Sequence, residues 1–133
     1  GESRTIEVLL YRLSFSEDDR EIVDRFVEFQ EALIEANTDK LDEFILETDE
    51  FVNLIGLQSK KEFISSVGSD VLKFNGCEII DPTILFDDVN SASLIAKVRL
   101  SVEINGKELR VISDSVVSFE KTDGKWCLGK WEN

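Results

Sequence analysis

The chain contains no histidine. That absence removes Ser-His and Cys-His nucleophile pairs and most zinc sites together. Cysteine is nearly absent too. Cys77 and Cys127 have no CxxC spacing, so they make neither a disulfide framework nor a metal site. Each reads as a small strand residue. An all-carboxylate site is the one metal option left. Its candidate, Asp87-Asp88, reads as a solvated turn, so no metal or organic cofactor is expected. Positive charge is scarce: 15 basic residues stand against 28 acidic ones, for a net charge of -13. Such a surface repels nucleic acid and anionic membranes, which are excluded as expected partners. Long apolar runs are missing as well. Val8-Leu9-Leu10 is typical and far too short to span a bilayer. No stretch reads as a secretory signal, so a cytoplasmic chain is expected.

What is present is a pattern for one α+β domain. At 133 residues the chain is long enough for a single core, and residues 1–15 read as an N-terminal extension, extended or helical. The clearest signal lies between Ser91 and Glu132. Leu94, Ala96, Val98, Leu100, Val102 and Ile104 alternate with polar residues, the period of a half-buried strand. Asn105-Gly106 and Asp123-Gly124 are pairs that type I′ hairpin turns prefer. They divide the segment into three antiparallel strands. In the second strand Leu109, Val111, Val117 and Phe119 share the core face, and Ser113 and Ser115 fall among them.

The cover for this sheet comes first in the chain. Ser16 with Glu17, Asp18 and Asp19 starts a helix whose Ile22, Val23, Phe26, Val27, Phe29, Leu33 and Ile34 form an apolar stripe. Asn37 is expected to end it, and a short helix follows with Leu41, Phe44 and Ile45 inward. Phe51 to Ile55 reads as a strand closed by Gly56. Ser59 and Glu62 make a capping box for a helix that buries Phe63, Ile64 and Val67 and stops at Gly68. Residues 71–86 read as a strand interrupted by Gly76 and by Pro82, the single proline, which belongs at a bulge or edge.

Gly56-Leu57-Gln58-Ser59-Lys60-Lys61-Glu62-Phe63, the long first helix and the closing Asp123-Gly124-Lys125-Trp126 resemble the nuclear transport factor 2-like superfamily, near its small SnoaL-like branch. The resemblance covers residues 17–131. It implies a cone: a curved antiparallel sheet wrapped round helices, with a pocket at the open end. It also implies homodimers that pair through the outer sheet face. Enzymes of that superfamily place an acidic base on the short strand after the second helix, and the matching position here is Asn53. Asparagine cannot abstract a proton but can bind a ligand through its amide. Asp49 and Glu50, just before it, read as solvated. Tyr11, the one tyrosine, lies outside the matched stretch.

The expected site follows from face assignments. Asn53, Ser113, Ser115, Phe26, Phe63 and Trp126 are candidate pocket residues, the serines reading equally as satisfied core groups. A two-residue turn at Asn105-Gly106 sets Lys97 opposite Asp114. Asp114 is then either a pocket acid or half of an outer ion pair. Alternation puts Trp131 on the face opposite Trp126, where Ile112, Val116 and Trp131 would form an outer apolar stripe. That stripe, with Lys97 and Asp114 beside it, is the expected homodimer interface; edge cover by the N-terminal segment is the competing role for Trp131. The function expected is a small dimeric domain that binds a small apolar ligand, accessory rather than catalytic. The alternative is an isomerase, polyketide-cyclase-like or dehydratase-like enzyme.

Overall fold

A computed structural model describes residues 6–9, 17–47, 51–53 and 56–132 of the chain. The elements run β1 (Ile6–Leu9), α1 (Glu17–Glu35), α2 (Thr38–Phe44), β2 (Phe51–Asn53), β3 (Gly56–Gln58), α3 (Lys60–Gly68), β4 (Leu72–Asp88), β5 (Ser91–Ile104), β6 (Lys107–Thr122) and β7 (Lys125–Glu132). Five strands form one sheet in the order β1-β4-β5-β6-β7, and β2 and β3 form a separate hairpin. The first pairing, β1 with β4, is parallel, and the other three are antiparallel. The extended reading of the N-terminal stretch therefore holds for Ile6–Leu9. Gly56 does not close the short strand; it opens β3, opposite Asn53.

The helices form where their ends are satisfied. Acids in the first turn of α1 sit at the positive end of its dipole. Its last turn closes with Ala36 in the left-handed region, φ 53°, and the Asn37 N–H donating to Ala32 O at 2.9 Å. Asn37 thus stands one residue past the expected role. Its Oδ1 accepts from the Lys40 N–H at 3.2 Å and caps α2 instead. The capping box on α3 is complete: the Glu62 N–H donates to Ser59 Oγ and the Ser59 N–H to Glu62 Oε1, each at 3.0 Å. The Ser59 backbone N–H foremost, and the Ser59 hydroxyl after it, hold the Glu62 carboxyl below its ordinary range.

Bulges bend the sheet. Along β4 the register slips at Phe74/Gly76, at Ile80/Thr83 and at Phe86/Asp88. Each slip adds one residue to β4 and bends it, which accounts for the curvature. Pro82 lies at the middle one, where a missing N–H is tolerated. Both turn pairs adopt the expected positive φ: Asn105 52° and Gly106 82°, Asp123 51° and Gly124 78°.

The core fills the concave side. Ile22, Phe26, Phe29 and Leu33 of α1 meet Leu94, Val98, Val117, Phe119 and Trp131 of the sheet within one cluster. Arg25 ties α1 to β7: its Nε donates to Trp126 O at 3.0 Å, and its guanidinium lies 4.1 Å from the Phe44 ring centre. Beneath the helices, the Lys60 ammonium is buried. It donates to Asp42 O at 2.8 Å and pairs with the Asp42 and Glu47 carboxylates at 3.2 and 3.3 Å.

The face expected for Trp131 is overturned. The β6–β7 register slips between Ser118 and Phe119, because Gly129 is an extra residue in β7. After the slip Trp131 pairs with Val117, not Val116, and is fully buried beside Phe26 at 5.5 Å and Phe29 at 6.1 Å between ring centres. Trp131 is therefore a core residue, and neither an interface anchor nor edge cover.

Candidate functional site

Strand β6 positions two sets of groups on opposite faces. Over residues 112–116 the usual pattern of a half-buried strand is inverted. Ile112 and Val116 point outward with 66% and 38% of their surface exposed, while Ser113 and Ser115 point inward at 8% and 0%. Asp114 also points outward, its side chain almost fully exposed. An amphipathic strand would place the apolar residues inside.

On the inner face, Ser113 Oγ and Ser115 Oγ lie 3.2 Å apart in a buried contact. Across β5 they pair with Val98 and Ala96. Among the described residues the buried polar side chains are these two serines, Gln30 and Lys60. Gln30 was missed in the sequence. Its position four residues after Phe26 and three before Leu33 puts it within the apolar stripe of α1, and that placement was the available signal. Among the described residues neither atom of its amide has a hydrogen-bond partner, and the indole N–H groups of Trp126 and Trp131 have none either. Burying an unpaired amide costs about 1–3 kcal/mol on protein scales. The Cys77 thiol on the same face is pushed up to about 12 by burial and by the Glu78 charge, so it stays neutral.

The other expected pocket residues distribute as follows. Phe26 stacks on Phe29 and meets Phe119 and Trp131 edge-on. Phe63 packs on Phe51 at 5.2 Å, and Trp126 on Phe86 at 6.0 Å. Three separate aromatic neighbourhoods therefore hold these three rings. Asn53 ends β2 opposite Gly56, and its side chain lies outside the described residues. So do Tyr11, Asp49 and Glu50. Leu109 is on the core face as expected yet 41% exposed, because β7 pairs β6 only from Val116 to Thr122 and leaves this stretch at the sheet edge.

The outer face carries the ions. Lys97 Nζ lies 3.6 Å from Asp114 Oδ1, in the expected register, and Arg99 donates to Glu78 Oε1 at 2.7 Å. The pocket-acid reading of Asp114 is thus corrected to an exposed ion pair, worth about 0.2–1 kcal/mol. Ile95, paired with Val116 and 38% exposed, joins Ile112 and Val116 in the apolar part of this face. Sequence reading passed over it, although Ile95 stands between the inward Leu94 and Ala96. Beside Ile112 an open groove of about 580 Å³ crosses β4, β5 and β6, with Gly76 and Ser101 among its lining residues. Among the described residues no helix is long and apolar enough to cross a membrane.

No family model and no curated protein matches the chain. Solved structures do. An NTF2-like protein of unknown function in nutrient uptake from Rhodospirillum rubrum is 13% identical, with a TM-score of 0.75 over 83% of this chain and 93% of its own. An NTF2-like protein from Cytophaga hutchinsonii is 14% identical, with a TM-score of 0.76 over 88% and 96%. The association domain of C. elegans CaMKII is 12% identical, with a TM-score of 0.67 over 87% and 95%. At these identities the likeness speaks for architecture: the chain has the nuclear transport factor 2-like, or cystatin-like, fold.

Proposed function

We propose that this chain is a homodimeric binding or accessory domain, pairing through its outer sheet face and enclosing a small apolar ligand under α1. The observation that carries the proposal is the inversion over residues 112–116. Ile112, Val116 and Ile95 give the outer face an apolar centre, and the Lys97–Asp114 and Arg99–Glu78 pairs give it balanced charge. In a chain of net charge -13, a face of paired charge repels a second copy less than an acidic one would. A two-fold contact buries such a patch against itself. A structural neighbour named as an association domain is consistent with this use of the fold.

The inner face supports binding over catalysis. Its buried polar groups on α1 and β6 are an amide and two hydroxyls, none of which serves as a general base near neutral pH. The enzymatic alternative needs a carboxylate turned inward, and Asp114 turns outward. Light scattering at tens of micromolar, a concentration that populates micromolar dimers, tests the assembly. The expected mass is twice 15.1 kDa. A Val116→Glu variant should fall to the monomer mass. An unmodified protein that scatters as a monomer refutes the dimer.

A further inference from the structure

Strand β6 leaves part of one edge open. β7 pairs with it only from Val116 to Thr122, and among the described residues no strand stands beyond residues 107–115. The tight turns set which backbone groups face that gap. In a two-residue hairpin the residues flanking the turn exchange both hydrogen bonds, and alternate pairs do so from there on. Ile104 and Lys107 flank Asn105-Gly106, so Lys107, Leu109, Val111 and Ser113 bond to β5. Lys121, odd-numbered like them, donates its N–H in the same direction, to Asn90 O at 2.8 Å. The N–H and C=O groups of Glu108, Arg110, Ile112 and Asp114 therefore point out of the sheet edge. Sheet edges in soluble proteins are blunted by proline, bulges or inward charges. This stretch has none of these: its register with β5 is unbroken, and its inward residues are Leu109, Val111, Ser113 and Ser115.

We infer that this edge pairs with the same edge of a second copy, antiparallel and centred on Leu109, a contact separate from the outer-face pairing proposed above. The charges and the end of β7 select that register. Centred on Leu109, Glu108 of each copy stands opposite Arg110 of the other, and each such pair exchanges both backbone bonds. A centre at Arg110 sets that arginine against itself, and a centre at Val111 sets Glu108 against Asp114; like charges directly opposite are destabilising. A centre at Ile112 pairs Arg110 with Asp114 but drives Glu108 onto Val116, whose open side β7 already occupies through Glu132. Two features of the single chain fit the chosen register. Glu108 stands directly opposite Glu103 of β5, an unfavourable pair that a second copy's Arg110 offsets. Leu109, exposed at the rim of the core face, meets its own copy at the close spacing of a non-hydrogen-bonded pair. The Arg110–Glu108 pair within each chain, at 3.7 Å, then joins its counterpart in a ring of alternating charge.

Light scattering from tens of micromolar to about 1 mM, the range of weak contacts, reads this edge in the Val116→Glu variant, which lacks the outer-face contact. Its mass should rise from one chain toward two, and that of the unmodified protein from two chains toward four. Arg110→Glu should abolish both rises, and the exchange Glu108→Arg with Arg110→Glu should restore them. Amide exchange followed by NMR gives a reading that needs no variant. The N–H groups of Glu108 and Arg110 should slow at least tenfold over the same range, while that of Asp114, beyond the paired stretch, should not. A Val116→Glu protein that stays a single chain at the highest concentration, with no slowing at Arg110, overturns the edge contact and leaves the face dimer standing. Slowing at Asp114 as well overturns the register. An unmodified protein that passes only from one chain to two, sensitive to Arg110→Glu and not to Val116→Glu, overturns the face dimer and leaves the edge contact standing.

Discussion

The inner and outer faces of β6 divide one five-residue stretch between them, Ser113 and Ser115 inward and Ile112, Asp114 and Val116 outward, and they are built for different environments. Inward, Ser113 and Ser115 bring hydroxyls into a core that could have been filled by aliphatic groups. Outward, Ile112 and Val116 bring apolar surface into water between ions. A strand selected for stability alone would exchange these residues, because each methylene moved from water to the core gains about 0.8 kcal/mol. Where local patterning contradicts the fold on both faces at once, sites are the physical reason to look for. The lesson is that the face of a residue and its chemical type are separate observations, and their disagreement is the informative one.

The sharpest way to break the comparison is to cross its boundary in the core. Trp131→Ala should destabilise by about 3–5 kcal/mol, since it leaves a cavity beside Phe26 and Phe29. Ile112→Ala should change the stability of the monomer by less than about 1 kcal/mol. Chemical denaturation of both variants reads the contrast. Equal losses would mean that Trp131 is not inside.

A second change concerns the end of α1. Ala36 adopts a left-handed conformation that favours glycine, so Ala36→Gly should raise stability by about 0.5–1 kcal/mol, seen as a higher melting temperature. Smaller still is the effect of the outer ion pair. Asp114→Asn should alter monomer stability by less than about 0.5 kcal/mol, because both partners are exposed. A larger loss would show that Asp114 has a buried role.

The two thiols sharpen the same contrast by rate instead of energy. Burial raises the folded-state value of Cys77 to about 12, so its neutral form is favoured in the folded protein. The stability gained from that preference is complete below the ordinary thiol value of 9.0. It is lost progressively as pH rises from there toward 12, where the unfolded chain alone ionises. At pH 8 iodoacetamide should therefore label half-buried Cys127 well before Cys77 in native protein, with mass spectrometry reading the order. Labelling of Cys77 first would contradict its placement.

Much of this architecture was legible in the residues. Asn105-Gly106 and Asp123-Gly124 fixed two hairpins, the Ser59–Glu62 box fixed the start of α3, and Pro82 marked a bulge. Lys97 opposite Asp114 followed from turn length alone. Trp131 was misplaced because one inserted residue, Gly129, reverses every side chain after it, and strand alternation carries no memory of a bulge. A glycine inside a strand was the warning. At the site, the inward serines were legible from period, while Gln30 was hidden among the apolar residues around it. Its significance is a matter of missing partners, which only three-dimensional packing reveals.

Native mass spectrometry of the protein tests the outer face directly. The account of β6 predicts a species of two 15.1 kDa chains, reduced to single chains by Val116→Glu. A single chain from the unmodified protein would contradict it.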